Sequence, residues 1–431
     1  MEIDIRMEEV NQHYLDKVMD LAEELEVEAS EDIYDARGIK LIAKGARISR
    51  SQQEKLILHK LRKPLEACII VHGGINANMI HIEAERLADT CEPVRCLLNV
   101  LPQSGPSPVD AMRDIELGNA MNMMLTIVDK GGQAAFAHSV MVGLLGICFA
   151  RRLALSEEQQ QVAGLAGLLH DIGELYIAPE FLHSSRRLLP HEWRHVVVHP
   201  RVGQMLVDQL EKCSRAVGVA IAEHHERCDG GGYPRQVDGC LISPAGHAVS
   251  AADLVSAIYA GGDRPLERSD LALKIVPGEH DRQLVDAICS ALRQPHDIHP
   301  ALPQADAIAR MQALHHRIDA VTHLYERLER DPALGGSAAR KLLARTRERV
   351  AAIARAYSST GLDTCVPADA PLFAGEEPRL AFEASVALQE IEWRLRDVAR
   401  DIALSTREPG TAETAALQPL IALLDQDRPP A

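Results

Sequence analysis

Apolar positions along the chain fall into three regimes. Residues 6 to 28 place Val10, Leu15, Val18, Met19, Ala22 and Leu25 on one helical stripe, which predicts a first helix. The period then shortens. ASEDIYDARGIKLIAKGARIS reads as two short strands joined near Asp35-Ala36-Arg37-Gly38, with a second turn at Lys44-Gly45. Ser49 precedes a helix to about His59, and Pro64 breaks the pattern.

From about residue 110 the spacing becomes that of long helices. Ser156 with Gln159 forms a capping-box signature for a helix that ends near Asp171, its buried stripe being Val162, Leu165, Leu168 and Leu169. After about residue 300 come charged amphipathic stretches at 306–331, 336–357 and 379–404, the last around Leu388, Ile391, Leu395, Val398 and Ile402. Such faces pack on each other or on a second subunit, so a homodimer is one expectation.

The expected fold class is therefore mainly α: a helical bundle preceded by a small α+β module and followed by long amphipathic helices. The predicted divisions are a module over 1–105, a helical metal-binding domain over 110–300, C-terminal helices over 301–405 and a partly flexible tail over 406–431. The first boundary rests on the Pro, Ser and Gly of residues 101–108.

Composition supports this reading and narrows the partners. Aromatics are only 3 % of the residues, so Leu, Ala, Val, Ile and Met must fill the core. A net charge of -16 with no opposing basic block argues against a nucleic-acid polymer. A small phosphate ligand stays compatible, because bound metal inverts the local field. Nine cysteines without a CxxC pair indicate no disulfide framework. The charged start MEIDIRMEEVNQ is unlike a signal peptide, and charges are expected to interrupt every apolar stretch short of membrane-spanning length. The expectation is a cytoplasmic protein without a membrane partner.

The chemistry is concentrated in the middle of the chain, where ten of the 19 histidines lie between residues 138 and 280. The candidates are His138, the adjacent His170-Asp171, His199, the adjacent His224-His225, and Asp253. Imidazoles mixed with carboxylates suit first-row ions such as Fe, Mn, Co, Ni or Zn rather than Mg or Ca. Seven such ligands exceed the needs of one ion and suit two divalent ions bridged by an aspartate, for which Asp171 is the natural choice. Two ions activate a bridging hydroxide at neutral pH and neutralise phosphate oxygens, so the expected reaction is hydrolysis of a phosphate ester. His183, His191, His195, His247 and His280 are read as structural, with His195 the least secure because it precedes His199 by one helical turn.

HDIG at 170–173 followed by HHERCDGGGYP at 224–234 resembles the HD-GYP family of HD-domain phosphohydrolases. The likeness covers about residues 130–300, including His138-Ser139, His199-Pro200, Gly203 and Asp253. It implies a helical bundle with ions held between helices and, as usual activity, hydrolysis of cyclic di-GMP to the linear dinucleotide or GMP in bacterial signalling. The glycine-rich loop at 229–234 is expected to border the substrate, to face a signalling-protein partner, or to be a structural turn.

Several positions depart from the family pattern. Family members commonly carry lysine after HDIG, where this chain has Glu174. Those holding three ions carry a carboxylate four residues before the first histidine, where this chain has Ala134, which favours two ions. Glu174 is expected to contact a metal or its water, to accept a hydrogen bond from a ligand histidine, or to face solvent. Where a second aspartate often follows Asp253, Ser256 stands. Arg264, in a displaced Asp263-Arg264-Pro265 turn, and Arg227 are candidate phosphate contacts, with a surface role as the alternative. Three functions follow: a metal-dependent cyclic dinucleotide phosphodiesterase, a catalytically weak nucleotide-binding or protein-interaction domain, and an HD-type phosphohydrolase acting on another nucleotide or phosphate ester.

Overall fold

The computed structural model describes residues 9–100, 106–182, 186–260, 264–292, 304–361, 378–406 and 411–426. Two compact units divide the chain. The first contains Met1–Ser185, His195–Pro265 and Asp281–Leu292; the second contains Arg186–Arg194, Leu266–His280 and Arg293–Ala431. The α+β module and the metal-binding helices expected as separate domains thus share the first unit.

The α+β module opens with α1 (Gln12–Glu24), capped by Asn11, whose side chain accepts from the Tyr14 N–H at 3.0 Å. It is shorter than its apolar stripe suggested, because Val27 starts a strand. Strand β1 (Val27–Ala29) pairs antiparallel with β4 (Ile69–Val71), and the hairpin β2 (Ile33–Tyr34) and β3 (Lys40–Ile42) turns at Gly38 as expected. Between β3 and β4 lie α2 (Arg50–Leu58), begun by the Ser49–Gln52 capping box, and the single turn α3 (Leu65–Cys68). Helices α4 (Ala77–Thr90), α5 (Glu92–Val100), α6 (Pro108–Arg113) and α7 (Asn119–Lys130) lead into the central bundle.

That bundle is built on α8 (Gln133–Arg152), α9 (Glu157–Leu169), the short α10 (Pro179–Leu182), α11 (His199–Leu210), α12 (Arg215–Glu223) and α13 (Pro244–Ala260). The Ser156–Gln159 capping box is present at the start of α9. Glycines let α8 and α9 approach closely: a Cβ at Gly143 would lie 2.9 Å from the Gly164 carbonyl oxygen, and one at Gly167 would lie 2.7 Å from that of Val142. Side chains one turn away are thereby brought together. Helix α8 also corrects an expectation, since Ala134–Arg152 is long and apolar enough to cross a membrane by length and composition. Most of that stretch is buried against its neighbours, with Val140, Leu144, Leu145 and Phe149 fully enclosed.

After α14 (Pro265–Lys274) and α15 (Arg282–Leu292) come α16 (Gln304–Leu328), α17 (Ser337–Ser359), α18 (Pro378–Ser405) and α19 (Ala412–Leu424). In the second unit these last four helices bury one another's apolar faces, with Met311, Val321, Val350, Leu388, Ile391, Leu395, Val398 and Ile402 in a common core. Arg349 bridges Asp397 at 2.7 Å and Asp401 at 3.1 Å. The stretch expected as a tail contains α19, whose Leu417, Leu420 and Leu424 are buried in that core; the apolar run there is a packed helix.

Candidate metal centre

Each candidate ligand sits where an element begins, ends or meets a close neighbour. His138 lies on α8, His170 at the C-terminal cap of α9, His199 at the start of α11, His224 at the C-terminal cap of α12, and Asp253 on α13. The chain turns sharply after His170: Asp171 leads into a tight helical turn over Ile172–Tyr176. Gly173 makes this turn possible by contact, since a Cβ there would lie 2.1 Å from the His199 carbonyl oxygen. The helix end expected at Gly173 is present, and the glycine also seats Asp171 against α11.

All seven candidates are brought together. Asp171 faces both ways: its Oδ2 lies 2.9 Å from His170 Nε2 and 3.8 Å from His138 Nε2, while its Oδ1 lies 3.3 Å from His199 Nε2 and 3.6 Å from His224 Nε2. Asp253 forms a second link, with Oδ1 at 3.4 Å from His138 Nε2 and Oδ2 at 3.8 Å from His225 Nδ1. Two groupings are compact enough to hold a metal ion: Asp171, His199, His224 and His225, and His138, His170 and Asp171.

The imidazoles are oriented from behind. Nδ1 of His170 donates to the Gly167 carbonyl at 2.8 Å, that of His199 to Val196 at 2.8 Å, and that of His224 to Ile221 at 2.6 Å. With those protons committed, Nε2 is the lone-pair atom of each neutral ring. Yet the Nε2 atoms face each other, at 3.2 Å between His138 and His170 and 3.1 Å between His199 and His224. The two lone-pair nitrogens of His199 and His224 need a proton or a metal ion between them. The donor set therefore fits divalent metal.

Charges in the metal-free protein follow the same logic. Burial pulls the His170 imidazolium down, but the Asp171 and Asp253 carboxylates and the Gly167 carbonyl together outweigh it and lift the group to about 9. His199 is also raised, burial being outweighed by Asp171, Glu174 and the Val196 carbonyl together. Burial lowers His224, and burial together with the His224 charge holds His225 well below its usual range. The Asp171 and Asp253 carboxyls are held low by the surrounding imidazoles despite burial.

Glu174 does not face open solvent. It is half-buried on the Ile172–Tyr176 turn, and burial followed by the Asp171 charge pushes its carboxyl up to about 7. Arg227 is tied to the scaffold, its Nη1 donating to Ser250 Oγ at 2.7 Å and to the Glu226 carbonyl at 3.0 Å. Arg264 stands just before α14 in a left-handed conformation with φ 57°; Asp263 of the same turn lies outside the described residues. His195 stacks on Phe181 at 4.1 Å between ring centroids, which gives it a packing role. His183 lies outside the described residues.

Four supporting groups escaped the sequence reading. Ser256, noted only as a departure, places its Oγ 2.8 Å from His138 Nδ1 and orients that ring. The Tyr233 ring lies 4.5 Å from that of His225. Buried Glu226 braces the glycine-rich loop by accepting from the Arg235 N–H at 2.7 Å and the Val237 N–H at 3.2 Å, while Glu223 accepts from the Ser243 N–H at 2.8 Å. The His-His-Glu spacing was a usable signal for Glu226. Ser256 had none beyond lying three residues after Asp253.

Residues 122–287 match the family model described as HD domain. The chain is similar to the 3'3'-cGAMP-specific phosphodiesterase 1 of Vibrio cholerae, 34% identical over 147 residues, which are 33% of each chain. A cyclic di-GMP phosphodiesterase of Pseudomonas aeruginosa is 35% identical over 150 residues, 34% of this chain and 36% of that one. The 3'3'-cGAMP-specific phosphodiesterase 3 of Vibrio cholerae is 31% identical over 198 residues, 45% of this chain and 42% of that one. The chain thus spans between a third and somewhat under half of the length of these relatives.

Proposed function

We propose that this chain, whose residues 122–287 match the HD domain family model, is an HD-GYP-type two-metal phosphodiesterase that opens a cyclic purine dinucleotide. The observation that carries the reading is the double reach of Asp171, whose two oxygens lie against two different pairs of imidazoles. Cyclic di-GMP and 3'3'-cGAMP are the candidate substrates, since relatives named for each match this chain at comparable identity.

His138, His170 and Asp253 would hold one divalent ion, His199, His224 and His225 the other, and Asp171 would bridge them; iron or manganese suits this ligand set. When bound, such ions lower the pKa of water and neutralise phosphate charge. The chain's own groups supply orientation. The carbonyls of Gly167, Val196 and Ile221 fix three ring tautomers, and Ser256 fixes the fourth ring. Tyr233 packs against the His225 ring, and Glu226 holds the loop that carries it. Arg227 and Arg264 are assigned to the phosphate charge. Glu174 is assigned to the metal edge through its electrostatic coupling to Asp171 and His199.

A second reading, a domain that binds a nucleotide or a signalling protein with little turnover, draws support from Glu174, an acid at an edge that must receive an anion. Incubating metal-reconstituted protein with cyclic di-GMP, 3'3'-cGAMP and simple phosphate esters separates the readings. The phosphodiesterase account expects linear dinucleotide or mononucleotide from at least one cyclic substrate. Binding without cleavage at full metal occupancy would overturn it.

A further inference from the structure

The turn that follows Asp171 is gripped by the N-terminal module. Along one face of α1, Asn11 Nδ2 donates to the Tyr176 carbonyl at 3.3 Å and Lys17 Nζ donates to the Leu175 carbonyl at 3.2 Å. Between them the Tyr14 ring stacks on that of Tyr176, with centroids 5.2 Å apart and planes 11° from parallel. From α3, the buried Glu66 carboxylate accepts from the Tyr176 hydroxyl. Residues 175 and 176 are thus held by four contacts from two helices, which positions Glu174 beside them.

Lys17 alone among these contacts carries a positive charge. Its ammonium is half-buried, and the Glu174 carboxylate acts on it electrostatically. A lysine held to a backbone carbonyl in such surroundings loses much of its solvent screening, so its charge acts on its neighbours. Lys17 thus offsets the Glu174 charge when that carboxyl is ionised.

We propose that Lys17 is a positioning residue supplied to the metal centre by the N-terminal module, where its ammonium offsets the Glu174 carboxylate so that an anionic phosphodiester is not repelled. The substrate part rests on the phosphodiesterase reading; the metal part does not. Removing the cation has opposite consequences for the two kinds of ligand. Divalent metal binds more tightly, and the anionic substrate binds more weakly. A merely structural lysine would weaken both.

The test is a titration of metal-free, full-length protein with Mn(II), read as free Mn(II) by electron paramagnetic resonance, with steady-state kinetics on the cyclic dinucleotide. Lys17→Met is expected to lower the Mn(II) dissociation constant about three- to tenfold and to raise KM about three- to tenfold, with kcat within about twofold. Lys17→Gln should behave alike and serves if the first variant folds poorly. Lys17→Arg should keep wild-type values. Weaker Mn(II) binding in Lys17→Met and Lys17→Gln, unchanged Mn(II) binding, or failure of Lys17→Arg to preserve it would overturn the proposal. If wild-type protein cleaves no cyclic dinucleotide, the phosphodiesterase reading fails while the Mn(II) titration still decides the role of Lys17.

Discussion

His199 and His224 bring their Nε2 atoms to 3.1 Å although the Nδ1 of each already donates to a backbone carbonyl. Backbone geometry at the ends of two helices has committed both rings to present lone pairs to the same point. In the metal-free protein a proton must occupy it, and the raised affinity of His199 beside the lowered affinity of His224 assigns that proton to one partner. A divalent ion held by His199 and His224 would take the place of that proton.

Asp171→Asn tests the bridge. The amide keeps the shape and loses the charge that faces four imidazoles. Bound metal, measured by elemental analysis, should fall by at least one ion per chain, and turnover should drop by about a hundredfold or more. The helical circular dichroism spectrum should be unchanged.

Ser256→Ala removes the group that orients His138. Metal affinity, measured by chelator competition, should weaken by about tenfold to a hundredfold, as for other partners of ligand histidines. Unchanged affinity would show that packing alone orients the ring.

Gly173→Ala is a packing test. The added methyl would meet the His199 carbonyl oxygen at 2.1 Å, a contact only a backbone shift can relieve. Urea denaturation should show a loss of about 2 kcal/mol or more, because backbone has less freedom to give than a side-chain terminus.

The metal-free protein should lose stability as pH rises from 7 to 9. His170 is raised from 6.5 to about 9, so its contribution is complete below about 6.5 and is lost as pH passes 9. Glu174, raised from 4.5 to about 7, has already given up its share by pH 7. The lowered His224 and His225 do not add to this loss, whereas His199, also raised, acts in the same direction as His170. Thermal melts should record a change on the order of 2 kcal/mol, and saturating Mn(II) should abolish it because coordination replaces the proton.

Four of the seven candidate ligands were legible as local motifs: HDIG at 170–173 and HHERCDGGGYP at 224–234 each place adjacent candidates at the end of a helix. Their mutual geometry was not legible, since it depends on glycine contacts such as that between Gly143 and Gly164, which residue spacing does not encode. The grip of Lys17 on Leu175 spans 158 residues and left no periodic trace. The first helix was read too long because Val27 continues an apolar stripe while pairing as a strand with Val71. At the other end, the acidic and proline flanks of residues 412–424 concealed a helix whose leucines are buried.

The most direct test of a two-metal phosphodiesterase is to count metal and turnover on the same sample. Manganese-loaded wild-type protein and Asp171→Asn should be analysed for bound metal, then incubated with cyclic di-GMP and with 3'3'-cGAMP while products are resolved by chromatography. The account predicts two ions per chain and linear or mononucleotide product for wild type, with both falling together in the variant. Two bound ions with no cleavage of either substrate, or full turnover by the variant, would contradict it.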